Sequence, residues 1–406
     1  MAPGNGGKGL FGPDMLEDPF PVYAHLRETD PVYFDNSVNA WILTRYADVS
    51  TVMKDRRFSS DRVTKARRRY SDRYEPVFDL LSRIMLQTDD PMHKRLRDLV
   101  HGAFTRTAVG TYESKIRALC DTLLAPGLER GDMEFVSEFA APLPILVISE
   151  IVGIPAEERE QIKIWCDAFS TVALNFYTHL SEKQLDYCSA QISEFTDYLR
   201  DKTAAARRAP GPDLISSLVV SADREHALDE EELIANCVLL LNAGNETTTC
   251  LLANGLGLLL GAPEQMAALR ADPALIPNAV EEFLRLQGPV QFVGRIATQD
   301  ATLGERHIKQ GDMVLPVLAA ANRDPAVFER PDALDVARDH IHQLSFGTGP
   351  HLCAGIQLAR FEAKIAFETL LERAGNMELK SQELEHTPNF NMRCLKELYV
   401  GIRENR

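Results

Sequence analysis

The chain has 406 residues, 45% hydrophobic and 25% charged, which is ample material for the core of a soluble globular protein. Its net charge of −15 argues against nucleic acid as a partner, because neutralising phosphates needs surplus Lys and Arg. Seven scattered cysteines (Cys120, Cys166, Cys188, Cys237, Cys250, Cys353 and Cys394) are odd in number and make no disulfide framework.

Residues 1–15 open with a glycine-rich run and read as a flexible tail. The tail lacks the apolar core of a signal peptide, and no run of ~20 apolar residues suits a membrane span, so a cytoplasmic protein is expected. No linker or repeat divides residues 16–406, which are expected to form one domain. Asp18 to Arg27 reads as a helix with proline in its first turns, Trp41 to Thr44 as a strand, and Tyr46 to Lys54 as a helix. Arg62 to Arg73 is a basic run holding Lys65, Arg67, Arg68 and Arg69, and by itself it reads as a solvated loop. His93 and Arg97, four apart, share one face of a helix and offer two cationic donors to carboxylates. Tyr112 to Arg207 has a helical pattern with breaks expected at Pro142, Pro144 and Gly153 to Pro155. Trp165, Phe169, Phe176 and Tyr177 within it read as core.

Asp229 and Glu232 are spaced as an N-cap and its partner. Beyond them Glu230 to Leu260 runs without proline for about 31 residues, roughly 47 Å at ~1.5 Å per residue. Apolar residues around much of its circumference bury it. At its middle stand Ala243, Gly244, Asn245, Glu246, Thr247 and Thr248, where small residues allow close approach and an acid and hydroxyls can move protons. Glu282 and Arg285 lie three apart on a short helix ended by Gly288 and Pro289, and Pro289 to Arg295 reads as a strand. Finally, Phe346 to Gly355 joins a loop to a helix running from Ile356. Gly347 and Gly349 open dihedrals closed to other residues, and Cys353 sits at the helix start, where free N–H groups favour a thiolate. Such a thiolate suits a nucleophile or a metal, and no second Cys or His lies at zinc-ligand spacing.

Taken in order along nearly the whole chain, these motifs resemble those of the cytochromes P-450, most specifically in Phe346, Gly347, Gly349, His351, Cys353 and Gly355. The resemblance implies a mostly α fold: a single large helical domain with a small β-rich region. Haem b (iron protoporphyrin IX) would lie between the long central helix and the Cys-loop helix, with Cys353 as iron ligand. It places His93, Arg97, Arg295 and His351 at the haem propionates, and Phe346, Gly347, Gly355 and Ala243 against the haem. Gly244, Glu246 and Thr247 match the family's oxygen-activation motif. Glu282 and Arg285, with Arg338, match a structural triad. Val290, Phe292, Val293, Met392 and Ala243 become substrate walls, although Gln287 and Gly288 depart from the residues many relatives carry there. The stretch from Ile164 to Leu185 becomes the lid, and the basic run precedes the helix that crosses the haem, where it could meet an acidic substrate or carrier.

The implied function is a monomeric haem-thiolate monooxygenase that hydroxylates or epoxidises a largely apolar small molecule, as in secondary metabolism. Electrons would come from a ferredoxin and its reductase docking on the Cys353 side, near Arg95, Arg106, Arg360 and Lys364. Two other readings stay open: a peroxide-driven peroxygenase, whose known relatives carry Arg where Glu246 stands, and a non-catalytic haem- or ligand-binding protein of the same fold.

Overall fold

Proline opens and glycine closes several helices of this computed structural model, which describes residues 12–101, 104–173, 180–225, 228–380 and 383–405. Helices α1 (Pro13–Glu17) and α2 (Phe20–Thr29) lead into the hairpin of β1 (Val32–Asp35) and β2 (Ala40–Leu43). Then come α3 (Tyr46–Lys54), β3 (Phe58–Ser59), α4 (Val63–Arg67) and α5 (Glu75–Ser82). Next are α6 (Met92–His101), α7 (Arg106–Gly110), α8 (Glu113–Arg130), β4 (Asp132–Glu134) and α9 (Pro142–Val152). Helices α10 (Arg159–Ala173) and α11 (Glu182–Arg208) pack on each other ahead of α12 (Leu214–Glu225).

The central run divides into α13 (Glu230–Ala243) and α14 (Glu246–Leu260), and is followed by α15 (Pro263–Ala271) and α16 (Ile276–Gln287). Short strands β5 (Arg295–Ala297), β6 (Ala301–Leu303), β7 (Arg306–Ile308) and β8 (Met313–Pro316) precede α17 (Leu318–Ala321). Helix α18 (Ile356–Arg373), β9 (Ala374–Leu379) and β10 (Tyr399–Glu404) complete the chain. The sheets are small, ordered β1-β2-β8-β5-β3, β4-β10-β9 and β6-β7, and β2 runs parallel to β8 with Ala40 opposite Met313. The mostly helical fold with a minor β region is therefore the one expected.

The main core joins α8, α9, α13, α14, α16 and α18. Phe283 of α16 and Phe367 of α18 are fully buried with ring centroids 5.1 Å apart. A Cβ on Gly255 of α14 would stand 2.8 Å from each ring, so glycine lets three helices meet at this point.

Several expectations change. The tail gives way to helix at Pro13, and Met15 is buried; residues 1–11 lie outside the described residues, as do Phe176 and Tyr177. Pro142 and Pro144 open α9 rather than break it, because Pro142 takes the first helical position, where no N–H is needed. The strand from Pro289 shrinks to β5, with single bridges at Val290 and Phe292. The uninterrupted central helix is absent: Gly244 and Asn245 interrupt it.

Candidate active site

Cys353 lies between a turn at Gly349–His351 and the start of α18, and its N–H donates to Phe346 O at 2.9 Å. Gly347 (φ +70°) and Gly349 (φ +73°) take left-handed backbone, and a Cβ on Gly349 would meet Met53 O at 2.8 Å. The Gly355 N–H points to the Cys353 sulfur, and nothing lies within 4 Å of where a Gly355 Cβ would stand. Burial pushes the Cys353 thiol up, while that N–H and the charges of Arg97 and Arg360 pull it down. The helix start expected to favour thiolate is thus outweighed by desolvation, and a bound cation is what would tip the balance. Arg360 stands 5.2 Å over the Phe346 ring while bonded to Glu281 at 2.6 Å.

Beside this loop the chain gathers cations. The rings of His93 and His351 lie 4.0 Å apart, and Arg295, Arg62 and Arg97 all bear on His351. Burial is the largest cause driving both imidazoles toward the neutral form, and neighbouring cations add to it. Arg62, at the edge of the basic run, is 7% exposed and its Nε donates to Gln87 Oε1 at 2.9 Å. No local spacing announces it; the signal available was an arginine next to Val63 and Ala66, both buried. The rest of the run is not simply solvated: Arg67 pairs with Asp79 and Glu75, Arg73 with Asp186, and Lys65 with Gly311 O.

Five basic side chains beside one cysteine, in a chain of net charge −15, suit a flat dianionic group held by sulfur. The residues present fit haem b. Arg62, His93, Arg97, Arg295 and His351 would hold its propionates, and Cys353 its iron. Among the described residues no three His, Cys, Asp or Glu side chains form a metal-holding group.

Ala243 is exposed although it sits midway along the central run. The Thr247 hydroxyl donates to Ala243 O at 2.9 Å and the Thr249 hydroxyl to Asn245 O at 3.1 Å, so side chains compete for carbonyls where the helix parts. Glu246 turns toward α10. Burial raises its pKa and Asp167 raises it further, against Ser170 and Lys163. A Cβ on Gly244 would stand 3.5 Å from Ile148 of α9.

Glu282, Arg285 and Arg338 meet in the interior. Arg285 Nε and Nη2 each donate to Glu282 at 2.7 Å, and Arg338 Nε reaches both carboxylate oxygens at 3.0 and 3.1 Å. Arg285 also holds Asn322 O and Ala333 O, both at 3.1 Å, pinning the loop before Cys353. Val290 and Val293 are half-buried. Phe292 is 5% exposed and belongs to the same apolar cluster as Met15, Tyr23, Ile42 and Leu315. Met392 is 1% exposed behind Val290, against Cys250 and Cys394.

A family model described as Cytochrome P450 matches residues 156–396. The chain is 37% identical over 389 residues to the biotin biosynthesis cytochrome P450 of Bacillus subtilis (strain 168), covering 95% of this chain and 97% of that one. It is 37% identical over 410 residues to the cytochrome P450 monooxygenase PikC of Streptomyces venezuelae, covering 98% and 94%. The crystal structure of P450BioI in complex with acyl carrier protein ligated to hexadec-9Z-enoic acid superposes with a TM-score of 0.90 at 35% identity, covering 96% of this chain and 99% of that one. The chain belongs to the cytochrome P450 family, whose enzymes are monooxygenases that bind haem b through a cysteine thiolate.

Proposed function

We propose that this monooxygenase hydroxylates or epoxidises a largely apolar molecule of secondary metabolism, drawing electrons from a ferredoxin-type partner as a cytoplasmic monomer. The interrupted central helix carries the reading: Glu246, held toward its protonated form by burial, stands next to Thr247, beside an Ala243 face open to a ligand. Haem b supplies dioxygen activation when bound. Cys353 anchors it and the five basic groups orient it, while Glu246 carries a proton and the Thr247 hydroxyl passes it on. Val290, Val293 and Ala243 offer only hydrocarbon, which suits an apolar substrate.

Turnover tests the reading directly. Compounds that displace haem-bound water, seen as a spin-state change, are incubated with NADPH, ferredoxin and reductase, with hydrogen peroxide alone, or with neither. Product is expected in the first arm. Product in the peroxide arm alone would make the protein a peroxygenase, and binding without product in any arm would make it a carrier.

A further inference from the structure

Glu281 of α16 ties α18 to the loop that carries Cys353. Its carboxylate accepts from Arg360 Nε at 2.6 Å and from Nη2 at 2.9 Å, a two-pronged contact that leaves the guanidinium little freedom to turn. The same carboxylate accepts from Gln343 Nε2 at 3.0 Å, and Gln343 Oε1 in turn accepts the N–H of Ser345, next to Phe346. The guanidinium so held stands 5.2 Å from the centre of the Phe346 ring, and Phe346 O accepts the Cys353 N–H at 2.9 Å. Glu281 therefore grips the surroundings of Cys353 twice, through the loop before it and through the helix after it. The Glu281 side chain is 18% exposed, so water screens the pair only in part.

We propose that Glu281 and Arg360 are positioning residues for electron entry: Glu281 fixes the Arg360 guanidinium over Phe346, and the two opposite charges set how readily the cofactor held by Cys353 accepts an electron. One electron passing from the donor to haem iron turns ferric into ferrous and adds one negative charge. The Arg360 cation favours the more negative state and the Glu281 carboxylate disfavours it. Arg360 acts on Cys353 in the same sense, since its charge pulls the thiol toward thiolate. The role rests on Cys353 as the iron ligand.

The midpoint potential of the holoenzyme, titrated with dithionite and mediators, tests the pair. Glu281→Gln is expected to raise it and Arg360→Met to lower it. Each should change the ratio of ferric to ferrous protein at fixed potential about threefold or more, roughly 28 mV at ~59 mV per tenfold for one electron. The double variant is expected to return close to the wild-type value, and Arg360→Lys, which keeps the charge, to stay near it. A merely loosened fold would move both single variants in one direction and the double variant further. Shifts of the same sign, or potentials that do not move, therefore overturn the role. Should Glu281→Gln fail to retain haem, the contrast between Arg360→Met and Arg360→Lys decides, and equal potentials overturn it. A wild-type protein lacking the red-shifted Soret band of thiolate ligation in its reduced carbon monoxide complex would instead strike the assignment of Cys353.

Discussion

Thr247 spends its hydroxyl proton on Ala243 O at 2.9 Å, so its lone pairs remain for a proton arriving from Glu246. Thr247→Ala removes the relay hydroxyl together with one methyl group. Product formation is expected to fall roughly tenfold or more while NADPH consumption continues as peroxide. Unaltered coupling would take Thr247 out of the relay. Arg62 is tested through retention of the cofactor. One charge-assisted hydrogen bond contributes about 1.5–3 kcal/mol, so Arg62→Ala is expected to speed haem transfer to apomyoglobin about tenfold or more, and an unchanged rate would remove it from the propionate set. His93 and Arg97 were legible because i,i+4 spacing is local. Arg62 was not, because what buries it is Gln87, 25 positions away.

Among elements, the triad and α18 carry the strongest energetic expectations. Arg285→Ala leaves Glu282, 0% exposed, with a single cationic partner, and breaking such a pair costs about 3–5 kcal/mol. A denaturant titration should show that loss together with loosened haem, whereas a shift under about 1 kcal/mol would mean that water takes over the role of Arg285. Glu362 of α18 is 1% exposed, its Oε2 has no partner among the described residues, and burial raises its pKa well above the usual carboxylate value. A folded-state pKa above the unfolded one adds stability fully present below the ordinary value near 4.5, and that stability is lost as pH rises through the raised pKa. Glu362→Gln should therefore stabilise the protein more at pH 8 than at pH 5, read as the melting-temperature difference. Helix ends marked by local chemistry, such as Tyr46–Lys54, were readable from spacing. The parting at Gly244 and Asn245 was not, because apolar periodicity runs through it and the competing bonds come from threonine side chains. At Phe292 a strand's pattern likewise says that alternate residues face apart, but not which face meets a cavity.

At the scale of the molecule, the net charge of −15 makes any cationic surface near Cys353 conspicuous to an acidic electron donor. Three of the four candidate docking residues are already engaged: Arg95 with Glu232, Arg360 with Glu281 and Lys364 with Glu368. Arg106 is exposed at the start of α7. Arg106→Glu is expected to slow ferredoxin-driven turnover roughly several-fold at low salt while leaving dithionite reduction unchanged, and equal slowing of both would place its effect within the fold rather than at a docking surface. The Cys353 loop was the most legible feature of the chain, because its glycines, proline, histidine and cysteine are neighbours in sequence. Val290 opposite Met392, by contrast, joins segments brought together only by folding. Everything assigned to Glu246 and Thr247 depends on haem held by the Cys353 sulfur. The spectrum of the reduced carbon monoxide complex reads that bond most directly. The wild type is expected to show the red-shifted Soret band of thiolate ligation and Cys353→Ser to lose it; a Cys353→Ser protein with the band unchanged would contradict the assignment.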